Sequence, residues 1–193
     1  MQLTTLFTLL AGTVASVSAA ALVPREDPSD FSLTVHKPDS PLHGRALIAS
    51  ESRLWISTSW SKRQALCRWG EGKRPDGDGA TFSLDGDKLF LYGIGGQPFQ
   101  QLGLDPKEDG LDNLKYFSSI AGKPSENFRT DGWRDDGGIL SFSWALFQAC
   151  PVDDGYDTYR VDIYANSSAL DKGCVTFDAK INAQEVPLPC TYT

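Results

Sequence analysis

The sequence predicts an all-β protein, a single antiparallel β-sandwich of jelly-roll type held together by two disulfides. Three observations support this prediction. Apolar residues recur mainly at every second position, which is the period of a strand with one buried face. Asp-Gly and related turn pairs interrupt the chain at short intervals, as in folds built from many short strands. The four cysteines all follow the N-terminal apolar segment, and their even number suits two disulfides in a secreted chain.

The strand signals can be followed along the chain. The first strand is predicted from Phe31, Leu33 and Val35, which alternate with small polar residues. A hairpin is predicted around residues 85–87, because alternating apolar positions flank this Asp-Gly-Asp turn on both sides. The segment 111–120 fits either one or two helical turns or a strand. A later strand alternates between two sets of residues: Tyr159, Val161 and Ile163 on one face, and Arg160 and Asp162 on the other.

The clearest alternation lies near the C-terminus, where apolar and polar residues alternate over 175–182 and again over 186–192. We predict that these two segments form a hairpin that turns at Ala183 and Gln184. In that register Phe177 faces Cys190, so Cys190 points inward.

The side of the strand on which each cysteine lies also restricts which disulfides can form. In the predicted hairpin Cys190 points inward, whereas Cys174, at the start of its strand, lies on the outward side. The two cysteines therefore cannot be directly opposed without a bulge. This favours the pairs Cys150–Cys174 and Cys67–Cys190. A Cys174–Cys190 bridge remains open if the register of the hairpin is different.

The N-terminus predicts secretion. Residues 6–21 are apolar or small without a charge, and Val17-Ser18-Ala19 fits a cleavage site for signal peptidase, so residues 1–19 are predicted to be a signal peptide. Residues 20–30 are predicted to form a flexible arm, and residues 31–193 one β-sandwich domain. No later stretch is apolar enough to span a bilayer, so the mature protein is expected to be soluble, without a membrane partner.

The net charge and one sequence motif restrict the kinds of partner and modification that are expected. A net charge of −7, from 18 basic and 25 acidic residues, argues against nucleic acid, since an acidic surface repels phosphates. Asn166, in the sequon Asn166-Ser167-Ser168, is the predicted site of N-glycosylation.

No catalytic, cofactor or metal site is predicted. The only two histidines, His36 and His43, lack a nucleophile motif and are expected to be surface or turn residues. Acidic residues cluster in turns, where Asp bonds its own backbone, rather than as a catalytic pair of carboxylates. The clusters at 76–78 and 105–113 are rich in oxygen ligands, but neither has the spacing of an EF-hand calcium loop.

The five tryptophans have two interpretations. Flat aromatic rings can stack on sugars, but Trp more often packs in or near a core. Trp55 and Trp133 are expected in the core. Trp60 and Trp69 flank a basic stretch and are the candidate carbohydrate contacts.

Several short motifs follow one another in a characteristic order along the chain. They are Phe31-x-Leu33-x-Val35, Ser40-Pro41-Leu42-His43-Gly44, Leu54-Trp55-Ile56, Gly132-Trp133-x-x-Asp136-x-Gly138, Phe147-x-Ala149-Cys150-Pro151, Gly173-Cys174-Val175-x-Phe177 and Cys190-Thr191-Tyr192. In this order and spacing the chain resembles the fungal secreted proteins grouped around cell wall protein phiA, which include IgE-binding cell-surface antigens of moulds. The resemblance spans most of the mature chain.

The resemblance implies secretion, association with the cell wall and roles linked to development, and it implies no known reaction. It also implies that Cys150 of the Ala-Cys-Pro motif pairs with Cys174. The segment 62–78, which holds Cys67, departs from the family pattern.

Three functional hypotheses follow. The first is a non-enzymatic, secreted protein of the extracellular space or fungal cell wall with a structural or surface-interaction role. The second is a lectin-like carbohydrate-binding module, and the third is a secreted effector or elicitor that acts on a host. The expected partners are wall polysaccharides or wall proteins.

Overall fold

The computed structural model describes residues 30–58, 62, 65–67, 79–93, 98–105, 113–118, 122–123, 125–143, 145–164 and 173–192. The predicted signal peptide and all but the last residue of the predicted arm lie outside these residues. The described part of the chain contains fourteen strands and no α-helix. The strands are β1 (Asp30–His36), β2 (Ile48–Ser50), β3 (Arg53–Ser57), β4 (Ala65–Cys67), β5 (Thr81–Asp85), β6 (Lys88–Tyr92), β7 (Pro98–Asp105), β8 (Asn113–Ser118), β9 (Trp133–Asp135), β10 (Ile139–Phe142), β11 (Leu146–Val152), β12 (Thr158–Tyr164), β13 (Val175–Ala183) and β14 (Cys190–Tyr192).

Twelve strands join in one antiparallel sheet with the order β2-β3-β12-β11-β13-β1-β5-β6-β7-β8. The short strands β9 and β10 attach beside this path, because β10 pairs with both β13 and β9. The remaining strands, β4 and β14, form a separate two-stranded sheet. The all-β antiparallel class with two disulfides is therefore confirmed, whereas the arrangement as a β-sandwich of jelly-roll type stays a prediction.

Strand β13 holds the two parts of the large sheet together. Along one edge it pairs with β1, with Ala179 opposite Val35. Along the opposite edge it pairs with β10, where Ala179 lies opposite Leu140. Its first residues pair with β11, where Phe177 lies opposite Phe147, so β13 has backbone partners over its whole length.

The sheet curls until its last strand reaches its first strands. β8 contacts β3 and β12, and the Tyr116 amide donates a hydrogen bond of 3.1 Å to the Ser52 carbonyl oxygen. Ser52 belongs to the two-residue turn between β2 and β3. Both turn residues, Glu51 and Ser52, have positive φ (53° and 58°), as a type I′ hairpin turn requires.

The enclosed face forms the hydrophobic core. The inward residues of β1, namely Phe31, Leu33 and Val35, are at most 1% exposed. Trp55 and Trp133 are 6% and 1% exposed, so their predicted place in the core is confirmed.

Two local predictions can be compared with the strands. The hairpin around residues 85–87 is confirmed, with Asp85 opposite Lys88 and Gly86 at φ 60° in the two-residue turn. The ambiguous segment 111–120 contains a strand, β8, over the residues that the structure describes.

The predicted C-terminal hairpin is wrong. Residues 175–182 do form a strand, but its partners are β1, β10 and β11. These strands pair with β13 over its whole length, and the last segment of the chain is not among its partners. The backbone instead leaves β13 with the Gln184 amide bonded to the Asp30 carbonyl oxygen at 3.0 Å, and β14 pairs with β4. The inward direction of Cys190, 3% exposed, is nevertheless as expected.

Both disulfides join neighbouring antiparallel strands, and the pairs are those that parity favoured. Cys67 and Cys190 are directly opposed in the β4–β14 pair and are bonded. Cys150 is bonded to Cys174, which immediately precedes β13, next to the opposed residues Ala149 and Val175. The described residues include no free cysteine.

The C-terminal strand is fixed by polar contacts as well as by its disulfide. The Gln100 side chain pairs with the Tyr192 backbone, since its Nε2 donates to the Tyr192 carbonyl at 2.7 Å and its Oε1 accepts from the Tyr192 amide at 2.9 Å. The phenol oxygen of Tyr192 accepts a hydrogen bond of 3.0 Å from the Thr81 amide. Burial of this phenol raises the pKa of Tyr192 to about 12.

Candidate functional site

A groove of about 420 Å³ lies where the ends of β1, β11 and β13 meet. It is lined by residues 36–39, by Leu146 and by residues 176–178. Leu146 is 50% exposed and is one of four large apolar side chains exposed among the described residues. The groove therefore combines an accessible apolar side chain with polar side chains from two other parts of the chain.

Strand pairing brings the central polar residues of the groove together. His36 ends β1 and lies directly opposite Asp178 of β13. Opposed residues of an antiparallel pair project from the same face, and the inward neighbours Val35 and Phe177 belong to the core. His36 and Asp178 therefore project from the outer face of the sheet.

The turn after β1 forms one wall of the groove. The backbone amide of Lys37 donates a hydrogen bond of 3.1 Å to Nδ1 of His43. The rings of His43 and His36 meet edge to face, with their centroids 5.4 Å apart. Since Nδ1 of His43 is an acceptor, the neutral ring carries its proton on Nε2. The two histidines thus take part in the structure of a turn, as their sequence context predicts.

A row of polar residues continues from the groove across the outer face of the sheet. Thr176 lies opposite Gln148, which in turn lies opposite Asp162. Gln148 and Asp162 are 1% and 4% exposed, although the sequence pattern places both on the face away from the core. Asp162 is held by Arg160, whose Nε donates at 2.6 Å, and by Arg53 at 3.9 Å. The Oε1 atom of Gln148 is buried without a hydrogen-bond partner.

The charged side chains of the groove are two carboxylates, Asp39 and Asp178, and one ammonium, Lys37. With neutral imidazoles these carry a net charge of −1, which disfavours anionic ligands. The carboxylates accept hydrogen bonds, and Lys37 donates them. The groove can therefore both donate and accept hydrogen bonds.

The acidic clusters outside the groove fit the interpretation of Asp as a turn residue. Asp135 accepts a hydrogen bond of 2.6 Å from the Gly138 amide, and Asp154 accepts one of 3.0 Å from the Tyr156 amide. Within the described ranges there is no group of three or more His, Cys, Asp or Glu side chains that could hold a metal ion.

Trp60, Trp69 and the sequon residue Asn166 lie outside the described residues. The core residue Trp55 donates from Nε1 to the Ser50 carbonyl oxygen at 2.9 Å, and the Lys62 ammonium lies 4.1 Å from its ring centroid.

Sequence reasoning did not identify the groove. Asp178 was recognised only as an outward residue of its strand, and His36 only as a surface histidine. Their proximity depends on the pairing of β1 with β13, two strands from opposite ends of the described chain, and no local motif signals such a pairing. The exposed Leu146 at the start of β11 carried no distinguishing sequence signal.

No helix in the part of the chain that the structure describes is long and apolar enough to cross a membrane. The family model of PhiA-like secreted proteins matches residues 31–193. Cell wall protein phiA of Emericella nidulans is 26% identical over 183 residues, covering 93% of this chain and 95% of the relative. The Arthroderma benhamiae protein of that name is 29% identical over 149 residues, covering 75% and 77%. The Aspergillus fumigatus protein is 26% identical over 191 residues, 97% of each chain. No solved structure matches.

Proposed function

Because this chain belongs to the family of PhiA-like secreted proteins, we propose that it is a secreted, non-enzymatic protein of the fungal cell wall with a structural or surface-interaction role. The family resemblance that the ordered motifs carried is confirmed by the match over residues 31–193. The relatives that are similar over most of their length are named cell wall proteins.

The observation that supports this proposal most directly is the cross-linked sheet. Each disulfide joins two neighbouring strands, and one of them fixes the last strand, β14, to β4. Disulfides persist in oxidising extracellular surroundings and are rare where thiols are kept reduced. A small domain closed in this way is suited to long residence outside the cell.

Two processing events belong to the proposal. Residues 1–19 act as the signal peptide and are removed after Ala19, and Asn166 carries an N-linked glycan. Both are tested on protein recovered from a fungal culture: N-terminal sequencing should begin at Ala20, and an endoglycosidase should reduce the apparent mass of the wild type but not of Asn166→Gln.

Fractionation of the culture tests the location. The full chain, secreted from a filamentous fungus, is followed by immunoblotting in the cell interior, the medium and the wall. Wall material is extracted first with hot detergent, then with detergent and a reducing agent. We expect the protein in the medium and the wall extracts. Retention inside cells without removal of residues 1–19 would contradict the proposal.

A second candidate role, a lectin-like carbohydrate-binding module, is favoured by the groove at the ends of β1, β11 and β13. It would supply a mechanism for attachment to the wall. The candidate contacts Trp60 and Trp69 belong to this role and are tested by Trp60→Ala and Trp69→Ala in pull-downs on insoluble chitin and β-glucan.

A further inference from the structure

We propose that the groove formed by residues 36–39, Leu146 and residues 176–178 binds a neutral, hydroxyl-rich glycan chain. This inference rests on the proposed function, because it assigns the site through which the protein contacts wall polysaccharide.

The dimensions of the groove suit a short stretch of a glycan. Its volume of about 420 Å³ falls in the range of roughly 300–1,000 Å³ that is usual for small-molecule sites. It is open to the surface rather than enclosed, so a ligand that binds in it can extend beyond it. An extended polymer therefore fits better than a compact metabolite, which would need a closed pocket to bury its surface.

The apolar part of the groove is an exposed side chain. Leu146 is half exposed at the start of β11, where it pairs with the buried Tyr164. Sugar rings present C–H groups on their faces, and such faces pack on apolar side chains with the usual gain from burying apolar area. The neighbouring strands hold the backbone of Leu146 in place, so this surface does not have to be ordered on binding.

The polar part of the groove matches the hydroxyl groups of a sugar. The Asp178 carboxylate offers two acceptor oxygens, which can bind two adjacent hydroxyls at once. His36, directly opposite Asp178, adds an imidazole with one donor and one acceptor when neutral. Lys37 and Asp39, from the turn after β1, add a donor and an acceptor on the other side.

The charge of the groove and of the whole chain favours neutral glycans over acidic ones. Two carboxylates face one ammonium in the groove, and the whole chain carries a net charge of −7. Both factors oppose phosphorylated or uronic-acid polymers, because like charges repel most strongly where water is partly excluded. Neutral glucans and chitin carry no such penalty.

The site is also pre-organised. His36 and Asp178 lie on paired strands within the sheet, and the turn after β1 is held by the bond from the Lys37 amide to His43. Sites on rigid elements lose less conformational freedom on binding than sites on free loops.

The experiment is a titration of the folded, oxidised protein with three probes. Laminarihexaose represents β-1,3-glucan, chitohexaose represents chitin, and a polygalacturonate oligomer is the anionic control. The variants are Asp178→Asn and Leu146→Ala, and the matched control is Asp85→Asn. Asp85 is, like Asp178, an exposed aspartate of a strand, but it ends β5 at the β5–β6 hairpin and does not line the groove. Near-UV circular dichroism verifies that every variant is folded.

We expect at least one neutral probe to bind the wild type and Asp85→Asn equally, and Asp178→Asn and Leu146→Ala at least tenfold more weakly. The identity of that probe assigns the polysaccharide. No binding of either neutral probe, or equal binding by all variants, would overturn the groove assignment.

The same proteins are then mixed with purified fungal walls. If the wild type and both groove variants sediment with walls to the same extent, the groove inference fails while the proposed location at the wall stands. If the wild type itself fails to sediment, the proposed function fails with it.

Discussion

In the C-terminal strand β14, Cys190 is bonded to Cys67, and the hydroxyl of Tyr192 accepts a hydrogen bond from the Thr81 amide. This residue is 5% exposed. An ionised phenolate would be poorly solvated there, which is why burial raises the pKa of Tyr192 to about 12 from its ordinary value near 10.

The raised pKa predicts a loss of stability at alkaline pH. Because the pKa is higher in the folded than in the unfolded state, the contribution of Tyr192 is complete below pH 10 and disappears as the pH rises towards 12. A shift of this size corresponds to about 2–3 kcal/mol in the free energy of unfolding. Denaturant unfolding monitored between pH 8 and about 12 measures the loss.

The control for this prediction is Tyr192→Phe. It should lower stability at neutral pH by about 1–3 kcal/mol, because the buried Thr81 amide loses its acceptor. It should also flatten the alkaline decline. Burial also raises the pKa of Tyr116, so a smaller decline should remain. An identical decline in wild type and variant would contradict the assignment to Tyr192.

A second residue-scale feature is Gly103 in β7, where another part of the chain comes very close. The Leu104 amide and carbonyl each bond Arg129 at 2.8 Å, and a Cβ on Gly103 would overlap the Arg129 carbonyl oxygen and the Phe128 ring. Gly103→Ala should therefore lower the free energy of unfolding by about 1–3 kcal/mol, the usual cost of overpacking. Gln101→Ala, on the same strand, is the matched control in urea unfolding. A Gly103→Ala protein as stable as Gln101→Ala would show that this approach is not tight.

At the scale of elements, β14 is a strand of three residues whose stability depends on its attachments. Removing the bridge with Cys67→Ser and Cys190→Ser together should lower the free energy of unfolding by roughly 2–5 kcal/mol. Replacing Cys150 and Cys174 by Ser should cost about 1 kcal/mol less in the chain-entropy model, because the closed loop is shorter, 24 against 123 residues of separation.

Equilibrium unfolding of the two double variants, each purified under oxidising conditions, measures which of them loses more free energy of unfolding. A larger loss for the Cys150–Cys174 pair would mean that native contacts around β11 and β13, rather than the entropy of the unfolded chain, determine the contribution of each bridge.

The C-terminal elements also show what a sequence pattern can determine. Alternation over 175–182 predicted a strand and the inward faces of Phe177 and Cys190, because alternation reports which side of a strand is buried. It could not identify the neighbour of that strand. Two alternating segments that are close in sequence suggest a hairpin, but strands from other parts of the chain, β1, β10 and β11, pair with β13 instead. The favoured disulfide pairing is observed although the reasoning for it rested on this hairpin, because a different pairing, β4 with β14, places Cys67 directly opposite Cys190.

At the scale of the whole molecule, the class of fold was predictable and the arrangement was not. Composition, turns and alternation predict strands because each of these signals is local in the sequence. Four cysteines predict two bridges because this prediction needs only their number. Strand order depends on pairings such as β1 with β13, which join residues from opposite ends of the described chain. The candidate site lies at such a pairing. The sequence therefore allows a prediction for each of its residues separately, but not the prediction that they lie close together.

The meeting of β8 with the turn between β2 and β3 has a consequence for a protein held at high local concentration. Open sheets expose rows of unpaired amides and carbonyls at their edges, and these rows recruit further strands into aggregates. Here the edge at β2 is three residues long, and at the far edge the Tyr116 amide is already bonded to the Ser52 carbonyl. The curled sheet therefore shields its own edges, and copies packed side by side would meet through side chains instead of joining strand to strand.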